Sequence, residues 1–422
     1  MLSKLKALGP GLLYAGAAVG VSHIVQSTRA GAEYGYILII GIILAHIFKY
    51  PFFELGPKFT QFTGQNLLHG YARLSKWALV VVAILTVATM FTIQAAVTIV
   101  TAGLALKITN LAGVITPVTM SVALLIICTL ISAVGRFNVL DKLMKVIMVT
   151  LSITTVVAVV SSFTVHHNIV PGATKVFSVF EPTDLIFLIA FLGWMPAPLD
   201  ISIWHSIWSE EKLKQDGELN KEGNLFDFNV GFIGTAILGI GFLTLGARII
   251  YGSGVELAAG GVAYSKQFID IYQQSIGTWA YWIIAIAAFT TMFSTTLTCL
   301  DAMPRVLTKI GELTFPVKNT DTQGATLTAR PGRARIYWML VIVAGALVLL
   351  QFFIKDMKQM VNLATSFSFL TAPVLALLGI LIVKKQLPEG FWPKWKYGIA
   401  YLGVLFLIVL SIFYLGLKFN GS

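Results

Sequence analysis

The stretch FLGWMPAPLDISIWHSIW at residues 191–208 interrupts its own apolar pattern with two prolines and an aspartate. Pro196 and Pro198 remove two helix hydrogen bonds within three residues, and Asp200 follows directly. A second stretch, GPGLLYAGAAVGVSHIVQSTRAGAEYGY at residues 9–36, is rich in glycine and then becomes polar. Both stretches therefore predict helices that are broken near their middle.

The composition of the whole chain indicates a membrane protein. Of the 422 residues, 57% are hydrophobic and only 12% are charged, and the mean hydropathy is +0.83. A soluble protein of this length needs more charge to cover its surface. Backbone polar groups in lipid must be paired within the chain, so long apolar runs should be helices. We expect an all-α membrane protein in a single polytopic domain.

Apolar runs bounded by charged or turn residues predict about eleven transmembrane helices. The two longest polar segments, Ser209–Asn229 and Asp301–Arg335, are charged and are predicted to be solvated loops. The approximate spans are 10–33, 36–56, 77–104, 111–134, 140–163, 183–208, 229–250, 277–301, 335–354, 359–383 and 397–417.

The basic residues predict the orientation in the membrane. With a cytoplasmic N-terminus, 22 of the 30 Lys and Arg residues fall on the inner side, seven fall on the outer side, and Arg29 alone lies within a span. This bias favours a cytoplasmic N-terminus and an outer C-terminus, and we expect a bacterial plasma (inner) membrane. The formal net charge of +11 then reflects anchors beside the lipid bilayer, and no nucleic-acid partner is expected.

The two broken helices are the first and sixth spans. That spacing is expected if spans one to five and six to ten form two inverted repeats. We predict a first repeat over residues 10–163, a second over residues 183–383 and an extra C-terminal helix over residues 397–417. Free carbonyls and half-helix ends at such breaks often bind ligands. The simpler alternative is a pair of proline kinks without a binding site.

Three segments resemble the Nramp divalent-metal transporters. The run GPGLLYAG…AGAEYGY at residues 9–36 is similar to the family's first helix, which carries a DPGN signature between these parts. The sixth span resembles the family's G-x-x-x-MPH region, including the later His205 and Ser206, and residues 293–298 resemble its Ser/Thr-rich eighth helix. The resemblance covers nearly the whole chain. It implies a LeuT-type fold that transports divalent ions by alternating access.

The resemblance also implies a metal site between the first and sixth helices. Aligned on the AGA triplet at residues 30–32, the DPGN positions of the Asp and Asn ligands fall on Gly20 and His23, so the usual carboxylate is missing. The acidic residues of the third helix have no counterpart at residues 88–94, which puts proton coupling in doubt. The site residues that the resemblance and the two breaks together predict are Gly20, His23, Met195, Ala197, Asp200 and Thr365.

The chemistry of these residues suits a divalent metal ion as transported substrate, with no cofactor. Divalent cations need oxygen or imidazole ligands and usually a negative charge, which His23 and Asp200 would supply. Met195 would add a soft ligand that favours manganese or iron, with magnesium possible. Backbone carbonyls near Gly20 and Ala197 would complete the shell.

Several alternatives stay open at this point. His23 and Met195 could simply pack against other helices, and Asp200 could form an internal ion pair with Arg29. Arg29 could instead bind an organic solute such as an amino-acid-like anion. A third possibility is a membrane sensor that transports nothing. No nucleophile–base pairing stands out, so the chain is not expected to be an enzyme.

Overall fold

The structure is a computed structural model, and it describes residues 10–134, 137–165, 169–216, 221–315, 331–353 and 356–420. All regular secondary structure in these ranges is helical, as expected for the all-α class. The α-helices are α1 (Pro10–Ala18), α2 (Thr28–Tyr34), α3 (Ile39–Thr63), α4 (Leu67–Leu74), α5 (Lys76–Thr109), α6 (Pro117–Val134), α7 (Phe137–Ser162), α8 (Pro182–Gly193), α9 (Ile201–Asp216), α10 (Lys221–Ile249), α11 (Gly261–Ile276), α12 (Tyr281–Thr314), α13 (Pro331–Val348), α14 (Met357–Gln386) and α15 (Lys394–Asn420).

Helical structure occupies each of the eleven predicted spans. The first span consists of α1 and α2 with a π-helical turn between them, and the sixth consists of α8 and α9. The other nine spans correspond to α3, α5, α6, α7, α10, α12, α13, α14 and α15. Within the described residues, seven helices are long and apolar enough to cross a membrane by length and composition alone. The division of the chain into two inverted repeats stays a prediction.

The predicted solvated loops are partly helical, which corrects the sequence-based assignment. α9 continues to Asp216, and α12 continues to Thr314. Their charged ends pair with each other, because Arg305 of α12 contacts Glu211 of α9 and its Nε lies 2.6 Å from Asp301 Oδ2. The helices can therefore extend beyond the apolar segment without leaving these charges unpaired. Two further helices, α4 and α11, were not predicted.

The glycines of the first span allow it to pack backbone to backbone against α10. A β-carbon on Gly31 would lie 1.9 Å from the carbonyl oxygen of Leu243, and one on Gly11 would lie 2.2 Å from that of Asp227. Such close approach is typical of small residues between membrane helices. The side chain of Asp227 also accepts a 2.7 Å hydrogen bond from Gly11 N at the start of α1. Both halves of the first span are therefore held on one helix.

Both predicted breaks are present, but they differ in kind. In the first span only Val19 and Gly20 leave the helix, and residues Ser22–Ser27, four of which are polar, form a single wide π-helical turn. In the sixth span the seven residues Trp194–Asp200 are non-helical, and the Met195–Pro196 peptide bond is cis. The prolines therefore produce a longer interruption than the glycines do.

Candidate substrate site at the two helix breaks

His23 lies at the first break and is completely buried. Its Nδ1 lies 2.7 Å from Ser22 Oγ, and its Nε2 lies 3.0 Å from the carbonyl oxygen of Thr235 on α10. Because a carbonyl oxygen only accepts hydrogen bonds, Nε2 carries a proton. Both ring nitrogens are thus bound to the protein in this conformation. Binding of a metal ion by His23 would require one of these two hydrogen bonds to break.

His23 and Met195 meet on the same surface of α10. The β-carbon position of Gly239 lies 3.6 Å from His23 Cδ2 and 3.5 Å from Met195 Sδ. A larger residue at Gly239 would push against both side chains. The structure therefore brings one residue of each break to a common place beside the seventh span.

Asp200 lies at the end of the non-helical segment of the sixth span. It lines a small cavity together with Thr86 and Thr89 of α5 and Thr371 of α14, and with Leu85, Ile203 and Leu375. Its Oδ1 is buried and makes no hydrogen bond within the described residues. A buried carboxylate oxygen without a partner is costly, so this atom is a candidate ligand for a cation.

The remaining predicted site residues lie around the breaks. Ala197 is completely buried in the non-helical segment of the sixth span. A β-carbon on Gly20 would lie 2.9 Å from the side chain of Thr295, so Gly20 packs against α12. Thr365 donates its hydroxyl to Val361 O at 2.8 Å, and its own carbonyl oxygen lies 2.1 Å from the β-carbon position of Gly193. Gly20 and Thr365 therefore lie where the broken helices touch their neighbours.

The contacts of the six predicted residues fall into three groups. His23 and Met195 are together, Asp200 is in the threonine-lined cavity, and the others form packing contacts. Among the described residues, no group of three or more His, Cys, Asp and Glu side chains is arranged to hold a metal ion. The assignment of these residues as metal ligands stays a prediction.

Lys49 is a buried charged residue beside the sixth-span break that the sequence analysis missed. The expectation that Arg29 is the only basic residue within a span is wrong, because Lys49 lies within α3 and is completely buried. Its Nζ donates to the carbonyl oxygens of Leu192 at 2.7 Å, Met195 at 2.9 Å and Gly193 at 3.2 Å. A lysine inside the apolar run of residues 39–53 is the sequence signal that could have identified it.

Arg29 pairs within the protein with Glu33, and not with Asp200. Its Nη2 lies 3.2 Å from Glu33 Oε1, and its Nη1 donates to Gln26 at 3.0 Å and to Asn362 at 3.2 Å. The proposed ion pair with Asp200 is therefore wrong. The guanidinium also lies 5.1 Å from the ring centre of Phe187 on α8. These contacts join the first, sixth and tenth spans on the α2 side of the first break.

An aromatic layer closes the α1 side of the same break. Tyr14 of α1 is completely buried and stacks on His205 of α9, with ring centres 5.6 Å apart. Its ring also meets Phe53, Phe228 and Phe232 at 5.4 to 6.2 Å. The first break thus lies between an aromatic layer on the α1 side and a polar, Arg29-centred layer on the α2 side.

Comparisons with known proteins bear on the fold and the family of this chain. The chain is 37% identical to the uncharacterized protein PM0681 of Pasteurella multocida (strain Pm70) over 386 residues, which is 91% of this chain and 86% of that protein. A point mutant of the manganese transporter of Eremococcus coleocola superposes with a TM-score of 0.66 at 16% identity, covering 96% of this chain and 85% of that one. The structure of MhsT in complex with L-phenylalanine superposes with a TM-score of 0.61 at 14% identity, covering 96% and 98%.

These two structures share the fold of this chain at low sequence identity. Family membership follows from the sequence itself. The family model described as natural resistance-associated macrophage protein-like (Nramp) matches residues 11–417, which is nearly the whole chain. The chain therefore belongs to the Nramp family, a family of membrane transporters and not of enzymes.

Proposed function

We propose that this protein transports divalent metal ions, as a secondary transporter or facilitator, through the region of its two helix breaks. The observation that carries the proposal is the buried, unpartnered Oδ1 of Asp200 in a cavity lined by threonines. A carboxylate with neighbouring hydroxyl and carbonyl oxygens suits a hard divalent cation. Membership of the Nramp family and the fold shared with a manganese transporter support the same substrate class.

The transported ion would assemble its ligands as it binds. His23 and Met195 meet beside Gly239, and Asp200 lines the cavity with the threonines of α5 and α14, so one ion would join these groups by moving the segment Trp194–Asp200. Carbonyls of this segment, near Ala197, and the carbonyl of Gly20 would complete the shell. A soft thioether from Met195 favours manganese or iron, while magnesium would rely on the oxygens alone.

Alternating access would use the two layers that enclose the first break. Opening the aromatic layer around Tyr14 and His205 would expose the break on one side of the membrane. Opening the Arg29-centred layer would expose it on the other side. Ion binding shifts the balance between two such states only if it favours one of them. By the charge bias, the Tyr14 layer faces the cytoplasm of a bacterial cell and the C-terminus lies outside.

Uptake into proteoliposomes tests the substrate class. Manganese, iron, cobalt, magnesium and calcium are compared with a panel of amino acids. We expect saturable manganese or iron uptake that falls at least about tenfold in Asp200→Asn, because this substitution removes a ligand charge. The matched control is Asp270→Asn on α11, where the carboxylate forms a half-exposed pair with Lys266.

Other outcomes would replace the proposal. Uptake of an amino acid without metal uptake would assign an organic solute as substrate. Binding without any flux would indicate a sensor. Metal uptake that is the same in wild type, Asp200→Asn and His23→Ala would remove the site assignment while leaving the substrate class intact.

A further inference from the structure

The sixth-span break presents a set of backbone carbonyls that need a partner. α8 ends at Gly193, so the carbonyl oxygens of its last turn lack the N–H donors of a further helical turn, apart from a long 3.3 Å hydrogen bond from Met195 N to Leu192 O. Pro196 and Pro198 cannot supply N–H donors. The C-terminal end of a helix also carries partial negative charge. This end of α8 is therefore suited to a cation.

Lys49 supplies that cation from α3. Its Nζ lies 2.7 Å from Leu192 O, 2.9 Å from Met195 O and 3.2 Å from Gly193 O. All three partners only accept hydrogen bonds, so three N–H donors are needed, and a charged ammonium has three. In the described part of the chain, every hydrogen-bond partner of this completely buried side chain is a backbone carbonyl. This arrangement differs from an ordinary buried ion pair.

Lys396, which is also buried, illustrates the difference. Lys396 of α15 donates to both carboxylate oxygens of Glu54, at 2.8 and 2.7 Å. There the lysine charge is balanced by a carboxylate. Lys49 is balanced only by carbonyl dipoles and the helix end. Rings of backbone carbonyls and the ends of broken membrane helices bind monovalent cations in this way.

We propose that the carbonyls of Leu192, Gly193 and Met195 form a monovalent-cation site that Lys49 fills as a tethered ammonium. Removal of the side chain beyond its β-carbon should leave a site for a primary alkylammonium or for potassium. Because the cation is built into the chain, the sixth-span break needs no sodium or potassium ion from solution. For transport, the consequence is independence from sodium and potassium, and this consequence alone rests on the proposed function.

Chemical rescue of Lys49→Ala tests the proposal without measuring transport. The alanine variant lacks three carbons and the nitrogen, which n-propylammonium replaces. We expect Lys49→Ala to melt below wild type in detergent, and millimolar n-propylammonium to raise its melting temperature saturably by about 3–6 °C. Tetramethylammonium, which has no N–H group, should not raise it.

Three controls separate rescue from a general effect of amines. Wild type has its site filled and should not respond to n-propylammonium. Lys49→Met fills the space without a charge, so it should melt below wild type and not respond. Lys58→Ala removes another lysine of α3, one that donates to a single carbonyl, Phe391 O, at 3.1 Å and is partly exposed. This variant should not respond either.

The results that overturn the proposal are equally distinct. Two results would show that the carbonyls are not a cation site. In the first, Lys49→Ala is as stable as wild type. In the second, n-propylammonium raises the melting temperature of Lys49→Ala no more than that of Lys49→Met. If Lys49→Ala is recovered folded only when membranes are solubilised in n-propylammonium, the proposal holds. Failure to recover it in any salt, while Lys49→Met folds normally, would overturn it.

Wild-type protein provides a test that needs no variant. Its melting temperature should be the same in sodium, potassium and choline chloride at equal ionic strength. A stabilisation that saturates with sodium or potassium would show that the break takes a free cation, and would overturn the role of Lys49. This measurement is independent of whether the substrate is a metal ion.

Discussion

The buried ion pair between Glu54 and Lys396 should be the main polar anchor of the C-terminal helix. Glu54 of α3 is 1% exposed and Lys396 of α15 is 5% exposed, and their side chains meet at 2.7 and 2.8 Å. Lys396→Met leaves a carboxylate buried without its partner. Breaking such a pair costs about 3–5 kcal/mol, whereas replacing both partners with apolar residues is often nearly neutral.

We therefore expect Lys396→Met and Glu54→Met each to lower the free energy of unfolding by about 3–5 kcal/mol. The double variant should regain most of this loss, with a coupling energy of at least about 2 kcal/mol. Unfolding is followed by tryptophan fluorescence in mixed micelles with increasing SDS. The matched control is Lys394→Met, two residues away and exposed, for which a change within about 0.5 kcal/mol is expected.

Two results would refute this reasoning. If Lys396→Met costs no more than Lys394→Met, the pair does not stabilise the fold despite its burial. If the double variant loses the sum of the two single losses, the side chains act independently. In that case α15 is held by its apolar contacts alone.

Three further predictions concern packing, charge and coupling. Gly31→Ala should lower the free energy of unfolding by about 3 kcal/mol in the same assay, because its β-carbon would meet the α10 backbone. Gly416→Ala, with open space around it, should leave the free energy of unfolding unchanged. Equal effects of the two substitutions would contradict the backbone contact. Asp301→Asn should destabilise the protein by about 3 kcal/mol, because Asp301 pairs with Arg305 and Arg335. Glu312→Gln, at an exposed pair with Lys309, should not destabilise it. Equal stability of the two variants would count against the buried charge cluster at Asp301. An imposed pH gradient should not drive manganese uptake, since α5 carries no Asp or Glu; a gradient that drives uptake, read with a pH dye in the vesicle lumen, would disprove this.

Local sequence signals were sufficient for the eleven spans and the two breaks, although not for the shorter helices α4 and α11. Apolar length predicts a spanning helix, because lipid forces each backbone group to pair within its own segment. Two prolines within three residues remove neighbouring helix hydrogen bonds, so the interruption at Pro196 and Pro198 could be predicted without knowing its neighbours. Single prolines such as Pro304 of α12 and Pro373 of α14 lie within continuous helices. The helical continuation of α9 and α12 beyond the apolar runs could not be predicted in this way, because its charges are paired across helices, with Arg305 of α12 reaching Glu211 of α9.

The position of the site residues relative to each other depended on tertiary packing. The sequence identified His23, Met195 and Asp200 as the chemical groups at the breaks. It could not show that His23 and Met195 meet at Gly239 while Asp200 faces the threonines of α5 and α14. A non-helical segment has no fixed periodicity from which the direction of a side chain can be inferred.

The sequence by itself determined the membrane class, the eleven helical spans, the two breaks and the family. These depend on hydrophobic length, proline and glycine positions, and motif spacing, all of which are local along the chain. Tertiary structure alone decided that Lys49 of α3 reaches the carbonyls at the end of α8, more than 140 residues away. A charge that looks like an interruption of one helix thus becomes the partner of another. Such pairing depends on distances in space and has no signal along the chain.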